Sequence, residues 1–325
     1  MRAVVLDNFG GPEVLSVRDV PPPAPRPGWV DVQLRASALN WHDVLVRQGK
    51  YHSKLPHIPG ADGAGIRTDT GEEVLVLPSL FWGDRREAPG PEWEILGDMT
   101  PGTYAELVSV PEESLAPKPP GHSWEQAASL PLVGVTCYRA LLTRARLASG
   151  ESLLVVGAGG GVATMAVQLA AAMDVHVVVA GSSAAKIDRA KEAGAESGVL
   201  HIADDWPQRA RALSPNGAGF DVILDPVGLW ERSLEALRPG GRLVVLGANV
   251  AETAQLNVRP FYFGQFSLLG TTMGGPEDFR GLLDMVADRH VAPPPVACTF
   301  PLADAAEAHR QLEAGRSFGK FVLVR

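Results

Sequence analysis

The apolar positions of this chain follow two patterns, which divide it into two parts of different fold. Up to about residue 120, short apolar runs separated by glycine and proline predict a β-rich, barrel-like domain, with the clearest alternation from Val30 to Ala36. From Trp124 onward apolar strands alternate with helical segments, which is typical of an α/β fold with a doubly wound parallel sheet. The six predicted strands of that sheet are Leu153 to Val156, Val175 to Val179, Val199 to Ile202, Val222 to Leu224, Leu243 to Leu246 and Ser267 to Thr271. A last apolar strand, Phe321 to Val324, has no obvious place in the sheet, so we expect the chain to return to the first domain.

The first strand of the second part leads into a glycine-rich turn and then an apolar helix. Because Leu153 to Val156 has no polar alternation, we expect a strand covered on both faces. The residues after it give a G-x-x-G-x-x-A frame, with Gly159 and Gly161 offering other frames. Such a turn brings backbone close to a pyrophosphate at a helix N-terminus, although a tight structural turn has the same pattern. We predict dinucleotide contacts at Gly159, Gly160, Gly161 and Val162.

Composition narrows the class of protein. The chain has 325 residues, 46% hydrophobic and 20% charged, as in an ordinary globular protein with room for two domains. Its net charge of −8 argues against sequence-independent binding of nucleic acid. Cys137 and Cys298 are too few and too far apart for a disulfide framework or a cysteine zinc cluster. With no signal-peptide pattern and no membrane-length apolar run, we expect a cytoplasmic protein without membrane contacts.

Short motifs along the whole chain point to one family. The chain resembles a zinc-independent medium-chain dehydrogenase/reductase of the quinone oxidoreductase type, on the motifs GGPEVL (10–15), ALNWHD (38–43), PGADGAG (59–65), GTYAE (102–106), GGV (160–162), LRPGGR (237–242) and FGK (318–320). The resemblance implies a GroES-like catalytic domain at 1–122 and 275–325, a Rossmann NADP-binding domain at 123–274, and a homodimer or homotetramer. Relatives pair the sixth strand of the nucleotide sheet across a two-fold axis, so we expect a homodimer at least.

The chain departs from the zinc enzymes of this family at the metal ligands. Where those enzymes carry a cysteine, a Gly-His-Glu motif and a second cysteine, this chain has Asn40, Gly60-Ala61-Asp62 and Leu132. An amide, a methyl group and an isobutyl group cannot replace thiolate or imidazole ligands. His42, His52 and His57 lie nearby, but their spacing is not that of a zinc pair, and we expect them to be surface or hydrogen-bonded histidines. No metal site is predicted.

The residues after the second strand bear on the choice of cofactor. No acid that would bind a free ribose appears before Asp188, whereas Ser182 and Ser183 can donate hydrogen bonds to a phosphate and Lys186 supplies a cation. The alternative is that Ser183 caps the next helix and Lys186 is solvated. The resemblance places these three residues at the 2′-phosphate with His201 beside it, and we predict NADPH. It also implies cofactor contacts, or else plain turn and core roles, at Thr136, Gly247, Ala248, Asn249, Gly270, Thr271 and Thr272.

Without a metal, reduction of a conjugated carbonyl is less demanding than oxidation of an alcohol, because negative charge spreads over the conjugated acceptor. The sequence therefore predicts an NADPH-dependent reductase of quinones or enones. Tyr51 matches a family tyrosine near the nicotinamide and is the candidate hydrogen-bond donor, or else a packed loop residue. Asn40 is the second candidate. A metal-free NADP-dependent aldehyde or alcohol oxidoreductase and a non-enzymatic NADPH-binding protein remain as alternatives.

Overall fold

A computed structural model describes residues 1–51 and 53–325. In chain order its strands are β1 (Arg2–Leu6), β2 (Leu15–Asp19), β3 (Trp29–Ala38), β4 (Gly63–Arg67), β5 (Glu73–Val76), β6 (Ser79–Leu80), β7 (Glu94–Ile95), β8 (Leu107–Pro111), β9 (Leu115–Pro117), β10 (Ser152–Val156), β11 (His176–Gly181), β12 (Ser197–Leu200), β13 (Phe220–Asp225), β14 (Leu237–Val245), β15 (Ser267–Gly270), β16 (Val296–Pro301) and β17 (Lys320–Val324). Its α-helices are α1 (Trp41–Arg47), α2 (Trp124–Ala128), α3 (Pro131–Tyr138), α4 (Gly161–Ala171), α5 (Ala184–Glu192), α6 (Trp206–Ala212), α7 (Trp230–Glu235), α8 (Val258–Phe263), α9 (Pro276–Asp288) and α10 (Ala305–Glu313). A π-helical turn (Arg139–Arg144) extends α3, and no helix in the described ranges could cross a membrane.

The chain forms two compact units. The first contains Met1–Val135, Gly274–Leu283 and Pro293–Arg325, and the second contains Thr136–Met273 and Asp284–Ala292. The sequence predicted a first boundary at 122/123, whereas this division lies after Val135. Residues 124–135 stay with the first unit because Leu132 N donates to Asp62 Oδ1 at 2.7 Å and Ser129 Oγ to the Pro294 carbonyl at 3.3 Å.

The first unit is built on a seven-stranded sheet, largely antiparallel. Its strand order is β16-β17-β3-β4-β5-β9, and β8 pairs with β3 as well. The C-terminal strand β17 lies antiparallel to β3, with Val322 opposite Ala38, so the predicted return of the chain to the first domain is confirmed. Alternate residues of β3, including Val32 and Leu34, are buried in a core with Val74 and Leu96, as the alternating pattern predicts.

The second unit holds the predicted parallel sheet. Its order is β12-β11-β10-β13-β14-β15, which places the glycine-turn strand β10 at the centre and β15 at one edge. Every residue of β10 is buried, in agreement with the apolar run from Leu153 to Val156. The edge strand β15 is mostly exposed, with Leu268 42% accessible. The doubly wound fold predicted from alternating strands and helices is therefore confirmed.

Two predicted elements differ from the structure. The sequence from Thr103 to Val110 predicts a strand, but the strand begins only at Leu107, because the amides of Thr103 and Tyr104 donate to the carbonyls of Gly60 and Pro59 where two loops cross. The sequence from Leu229 to Leu237 predicts a helix, but Leu237 is the first residue of β14 and pairs with Phe220 of β13. In both places long-range backbone pairing decides the local conformation.

Candidate functional site

The glycine turn of the second unit leaves a helix N-terminus open. Gly157 adopts a φ of +103°, a conformation that side chains rarely take, and its amide donates to the Ala180 carbonyl at 2.7 Å. Gly160 precedes the first residue of α4, and a Cβ atom built on it meets nothing within 4 Å. The first N–H groups of a helix have no intrahelical acceptor. This turn thus has the space, the donors and the helix dipole that a pyrophosphate requires.

The predicted phosphate-binding residues meet at the carboxyl end of β11. Ser183 caps α5, its Oγ accepting the Lys186 amide at 3.4 Å, so the capping role weighed for it is present. The His201 amide donates to the Gly181 carbonyl at 3.0 Å, which ties the backbone of residue 201 to the last residue of β11. Burial, and to a smaller extent the charge of Lys186, lowers the pKa of His201. Burial also lowers the pKa of the Lys186 ammonium.

The remaining predicted cofactor residues lie at the ends of β14 and β15, with Thr136 near them. Gly247 approaches the Pro226 carbonyl so closely that a Cβ atom would lie 2.1 Å from it, which no other residue type allows. Thr271 donates its amide to the Val245 carbonyl at 3.1 Å, while its buried Oγ1 has no partner among the residues described. Thr136 is buried, with its hydroxyl 3.8 Å from Met273 Sδ. An unpartnered buried hydroxyl and an open glycine turn fit a cofactor that completes this edge of the sheet.

Asp225 is a residue that the sequence analysis missed. It ends β13 with no exposed surface, and its carboxylate accepts the amides of Val227, Gly228 and Leu229 and the Ser233 hydroxyl, each at 2.9 Å. These bonds hold the loop beside the glycine turn, since a Cβ atom on Gly157 would lie 3.6 Å from Val227. The sequence feature that could have identified Asp225 is an acidic residue at the end of an apolar strand, in FDVILDPVG (220–228).

In the first unit, Asn40, which stands where the zinc enzymes carry a cysteine, belongs to a closed polar network with Asp62 and Lys320. Lys320 Nζ donates to Asp62 Oδ2 at 3.0 Å and to Asn40 Oδ1, and Asn40 Nδ2 donates to Asp62 Oδ2 at 2.9 Å. The network is buried, with Asp62 0% and Lys320 4% exposed. Across the described part of the chain no three His, Cys, Asp or Glu residues are grouped as metal ligands. A donor set of one carboxylate and one amide, neutralised by an ammonium group, does not fit a zinc ion.

A second buried chain of polar groups extends from the start of α1. Asp43 Oδ2 accepts hydrogen bonds from the backbone N–H of Asn40 at 2.8 Å and from the Tyr104 hydroxyl at 3.1 Å. Burial raises the pKa of the Asp43 carboxyl to about 7. Tyr104 in turn lies 3.2 Å from His309 Nε2, and Arg47 connects His309 to Glu313. The Asn40–Asp43 capping box explains why α1 begins where it does. No sequence pattern suggested this network, because its bonded members are distant along the chain; Arg47 and Glu313, for example, are 266 residues apart.

The two predicted catalytic residues differ in their hydrogen bonding and burial. Both polar atoms of the Asn40 side chain have hydrogen-bond partners: Oδ1 accepts from Lys320, and Nδ2 donates to the Ala38 carbonyl at 3.3 Å. The catalytic role of Asn40 therefore stays a prediction. Tyr51 is half-buried, and its ring packs edge-to-face on His42 with centroids 4.5 Å apart. His57 bonds the Gly97 carbonyl at 2.8 Å, as a hydrogen-bonded histidine was expected to do. His52 lies outside the described residues.

His42 is the exception among these histidines. It is 9% exposed, and neither Nδ1 nor Nε2 has a hydrogen-bond partner within residues 1–51 and 53–325. Burial lowers its pKa to about 4, so the ring is neutral at physiological pH. Each buried polar group without a hydrogen-bond partner lowers the stability of the folded protein by about 1–3 kcal/mol. The unpaired nitrogens of His42 therefore need a physical explanation.

Comparison with known proteins agrees with both units. The alcohol dehydrogenase GroES-like domain matches residues 26–120, and the zinc-binding dehydrogenase model matches residues 161–288. The chain is 33% identical to a quinone oxidoreductase of Pseudomonas aeruginosa, with 97% of each protein covered. It superposes on the crystal structure of an NAD-dependent alcohol dehydrogenase with a TM-score of 0.94 and 37% identity, all of both chains covered. A mycobacterial protein crystallised with NADPH has a TM-score of 0.84 at 27% identity, again over the whole of both chains.

These matches define an oxidoreductase with a nucleotide-binding dehydrogenase fold. The chain belongs to the medium-chain dehydrogenase/reductase family, and among its relatives the Pseudomonas aeruginosa and mouse proteins are named quinone oxidoreductases. The predicted family, the Rossmann-like sheet and the GroES-like domain are confirmed. Its relatives imply a small-molecule substrate.

Proposed function

We propose that this protein is an NADPH-dependent reductase of quinones, enones or related conjugated carbonyls that acts without zinc. The observation that carries the proposal is the Lys320–Asp62–Asn40 network, which occupies position 40 and accepts the backbone amide of position 132, two of the family's zinc-ligand positions. A metal ion there would have to displace a buried ammonium group and would find neither thiolate nor imidazole at positions 40, 61 and 132. Without a Lewis acid, an acceptor that delocalises its own negative charge is favoured.

NADPH is the proposed cofactor, and when bound it supplies the hydride. The side chains around the end of β11 favour a phosphate: two hydroxyls, at Ser182 and Ser183, and the Lys186 ammonium, with no carboxylate among them. The NADPH-bound mycobacterial structure agrees with this choice, whereas the similar alcohol dehydrogenase is described as NAD-dependent. The cofactor preference therefore needs its own test.

The cofactor test compares Lys186→Ala with Lys191→Ala. Lys191 lies on the same helix, 48% exposed and paired at 3.5 Å with Asp188, so it controls for loss of a positive charge from α5. A charge-assisted hydrogen bond contributes about 1.5–3 kcal/mol, so Lys186→Ala should weaken NADPH binding about tenfold or more. NADH binding should be nearly unchanged in both variants. Equal losses for both cofactors, or none, would contradict the assignment.

The substrate test measures cofactor oxidation with 1,4-benzoquinone, 2-cyclohexen-1-one and simple aldehydes, and cofactor reduction with primary and secondary alcohols. The similarity to an alcohol dehydrogenase favours a second candidate, a metal-free aldehyde or alcohol oxidoreductase. Turnover of the quinone and the enone well above that of aldehydes and alcohols supports the proposal. Turnover confined to alcohols and aldehydes supports the second candidate. Tight NADPH binding with no acceptor reduced would leave a non-enzymatic NADPH-binding protein.

We also propose that the protein forms a homodimer through the edge strand β15. Leu268 on this strand is 42% exposed, and the adjacent helix α8 exposes Val258, Tyr262 and Phe263 by 65%, 49% and 71%. An edge strand has unpaired backbone N–H and C=O groups that can bond to another strand. The β15 strand of a second copy, related by a two-fold axis, would pair with these groups symmetrically.

A further inference from the structure

The unpartnered histidine of α1 stands beside the tyrosine that sequence reasoning had already selected. His42 and Tyr51 contact each other edge-to-face at 4.5 Å, with an interplanar angle of 67°. The tyrosine pKa is raised by burial, then by the charges of Asp98 and Asp43, so its hydroxyl remains a donor. The neutral imidazole offers one N–H donor and one acceptor. Two side chains that can donate hydrogen bonds are therefore in direct ring contact.

The surroundings of His42 do not explain its polar atoms. The neighbouring carboxylate of Asp43 is occupied by the amides of Asn40 and Ala61 and by the Tyr104 hydroxyl. A leucine at position 42 would pack without the cost of two buried unpaired nitrogens, at similar volume. An imidazole that costs stability in the free protein is typical of a group that meets its partner in a complex.

We propose that His42 donates a hydrogen bond to the carbonyl oxygen of the conjugated acceptor, with Tyr51 as the second donor, an inference that rests on the proposed function. In the reaction NADPH would supply the hydride and be left as NADP⁺. The hydride forms a C–H bond to the acceptor, a π electron pair of the conjugated system shifts to the carbonyl oxygen, and that oxygen becomes negative. The two donors stabilise that oxygen, and water supplies the proton that completes the enol or hydroquinone. His42 thus acts as a fixed dipole aimed at developing charge and keeps its own proton.

The test compares His42→Leu and Tyr51→Phe with His57→Gln. His57 is a buried histidine with its hydrogen bond to Gly97 made, so it reports the effect of altering any buried imidazole in this unit. Removal of one such donor costs about 100-fold or more in kcat where the donor acts on developing charge. We expect that loss in His42→Leu with 2-cyclohexen-1-one, and a smaller loss with 1,4-benzoquinone, whose second carbonyl shares the charge. The melting temperature of His42→Leu should equal or exceed that of the wild type.

A binding measurement separates this inference from the proposed function. The probe is 4-nitrophenolate, an analogue of the enolate or hydroquinone anion, titrated into the protein saturated with NADP⁺. His42→Leu should bind it at least about tenfold more weakly, as one lost charge-assisted hydrogen bond predicts, and His57→Gln should bind it as the wild type does. If the wild type reduces no acceptor, the proposed function fails, and this titration alone decides the role of His42.

Three results would overturn the inference. One is unchanged kcat and 4-nitrophenolate affinity in His42→Leu, which would mean that an internal water satisfies the imidazole. Another is a lowered melting temperature or a failure to fold in His42→Leu, which would assign the ring a structural role. The third is the absence of saturable 4-nitrophenolate binding to the wild type.

Discussion

Loss of the Lys320 ammonium should destabilise the protein strongly, because its partner Asp62 is completely buried. Breaking a buried ion pair by removing one partner typically costs about 3–5 kcal/mol, since an uncompensated charge is left inside. Asp62 keeps two further donors, Asn40 Nδ2 at 2.9 Å and the Leu132 amide at 2.7 Å. These donors offset part of the loss, so we expect Lys320→Met to cost about 3 kcal/mol, the lower end of that range.

A double variant tests whether charge is the cause. In Lys320→Met combined with Asp62→Asn, neither member of the ion pair is charged, and the asparagine oxygen can still accept the Leu132 amide. The unfolding free energy of this double variant should be within about 1–2 kcal/mol of that of the wild type. Removing both charges should therefore recover stability that the single variant loses.

Urea denaturation of each variant, followed by circular dichroism and tryptophan fluorescence, measures these differences. The matched control is Lys191→Met, whose partner Asp188 is 68% exposed and whose loss should cost at most about 0.5 kcal/mol. A cost for Lys320→Met no larger than for Lys191→Met would refute the reasoning. So would a double variant less stable than the single one.

The remaining predictions concern metal, assembly and pH. Purified protein should contain no stoichiometric zinc by elemental analysis, and EDTA should leave turnover unchanged; one zinc per chain lost together with activity would contradict this. Light scattering at micromolar concentration should give a dimer, and Phe263→Glu on the exposed face of α8 should shift it toward monomer, whereas a monomeric wild type rules the interface out. Burial, and then the charge of Arg47, lowers the pKa of His309 to about 3, so the stability that its neutral ring contributes is complete above about pH 6.5 and is lost as pH falls toward 3. Between pH 7 and pH 5 this single group should cost about 2 kcal/mol of unfolding free energy, and His309→Gln should remove that part of the slope; identical slopes would show that His309 does not titrate this way.

Local sequence patterns were sufficient to predict the features that depend on neighbouring residues. The apolar run of β10 and the alternation of β3 appear where the pattern places them. Ser123 with Gln126 three residues later is a sequence pattern that predicts a helix N-terminus, and the two form the capping box of α2. These patterns work because periodicity states which face of an element is buried, and caps satisfy backbone groups only a few residues away. The glycine turn and the group at the end of β11 were found for the same reason, since each follows directly from one strand.

Tertiary structure alone decided which distant polar groups meet. Lys320 lies 258 residues from Asp62 along the chain, and no local pattern pairs them; the antiparallel contact of β17 with β3 brings them together. The same holds for the unpartnered ring of His42. Nothing in the local sequence distinguishes a histidine in the first turn of a short helix, and only three-dimensional packing shows that this ring is buried with no protein hydrogen-bond partner among the described residues. Burial and hydrogen bonding depend on everything that surrounds a side chain, and most of those surroundings come from elsewhere in the chain.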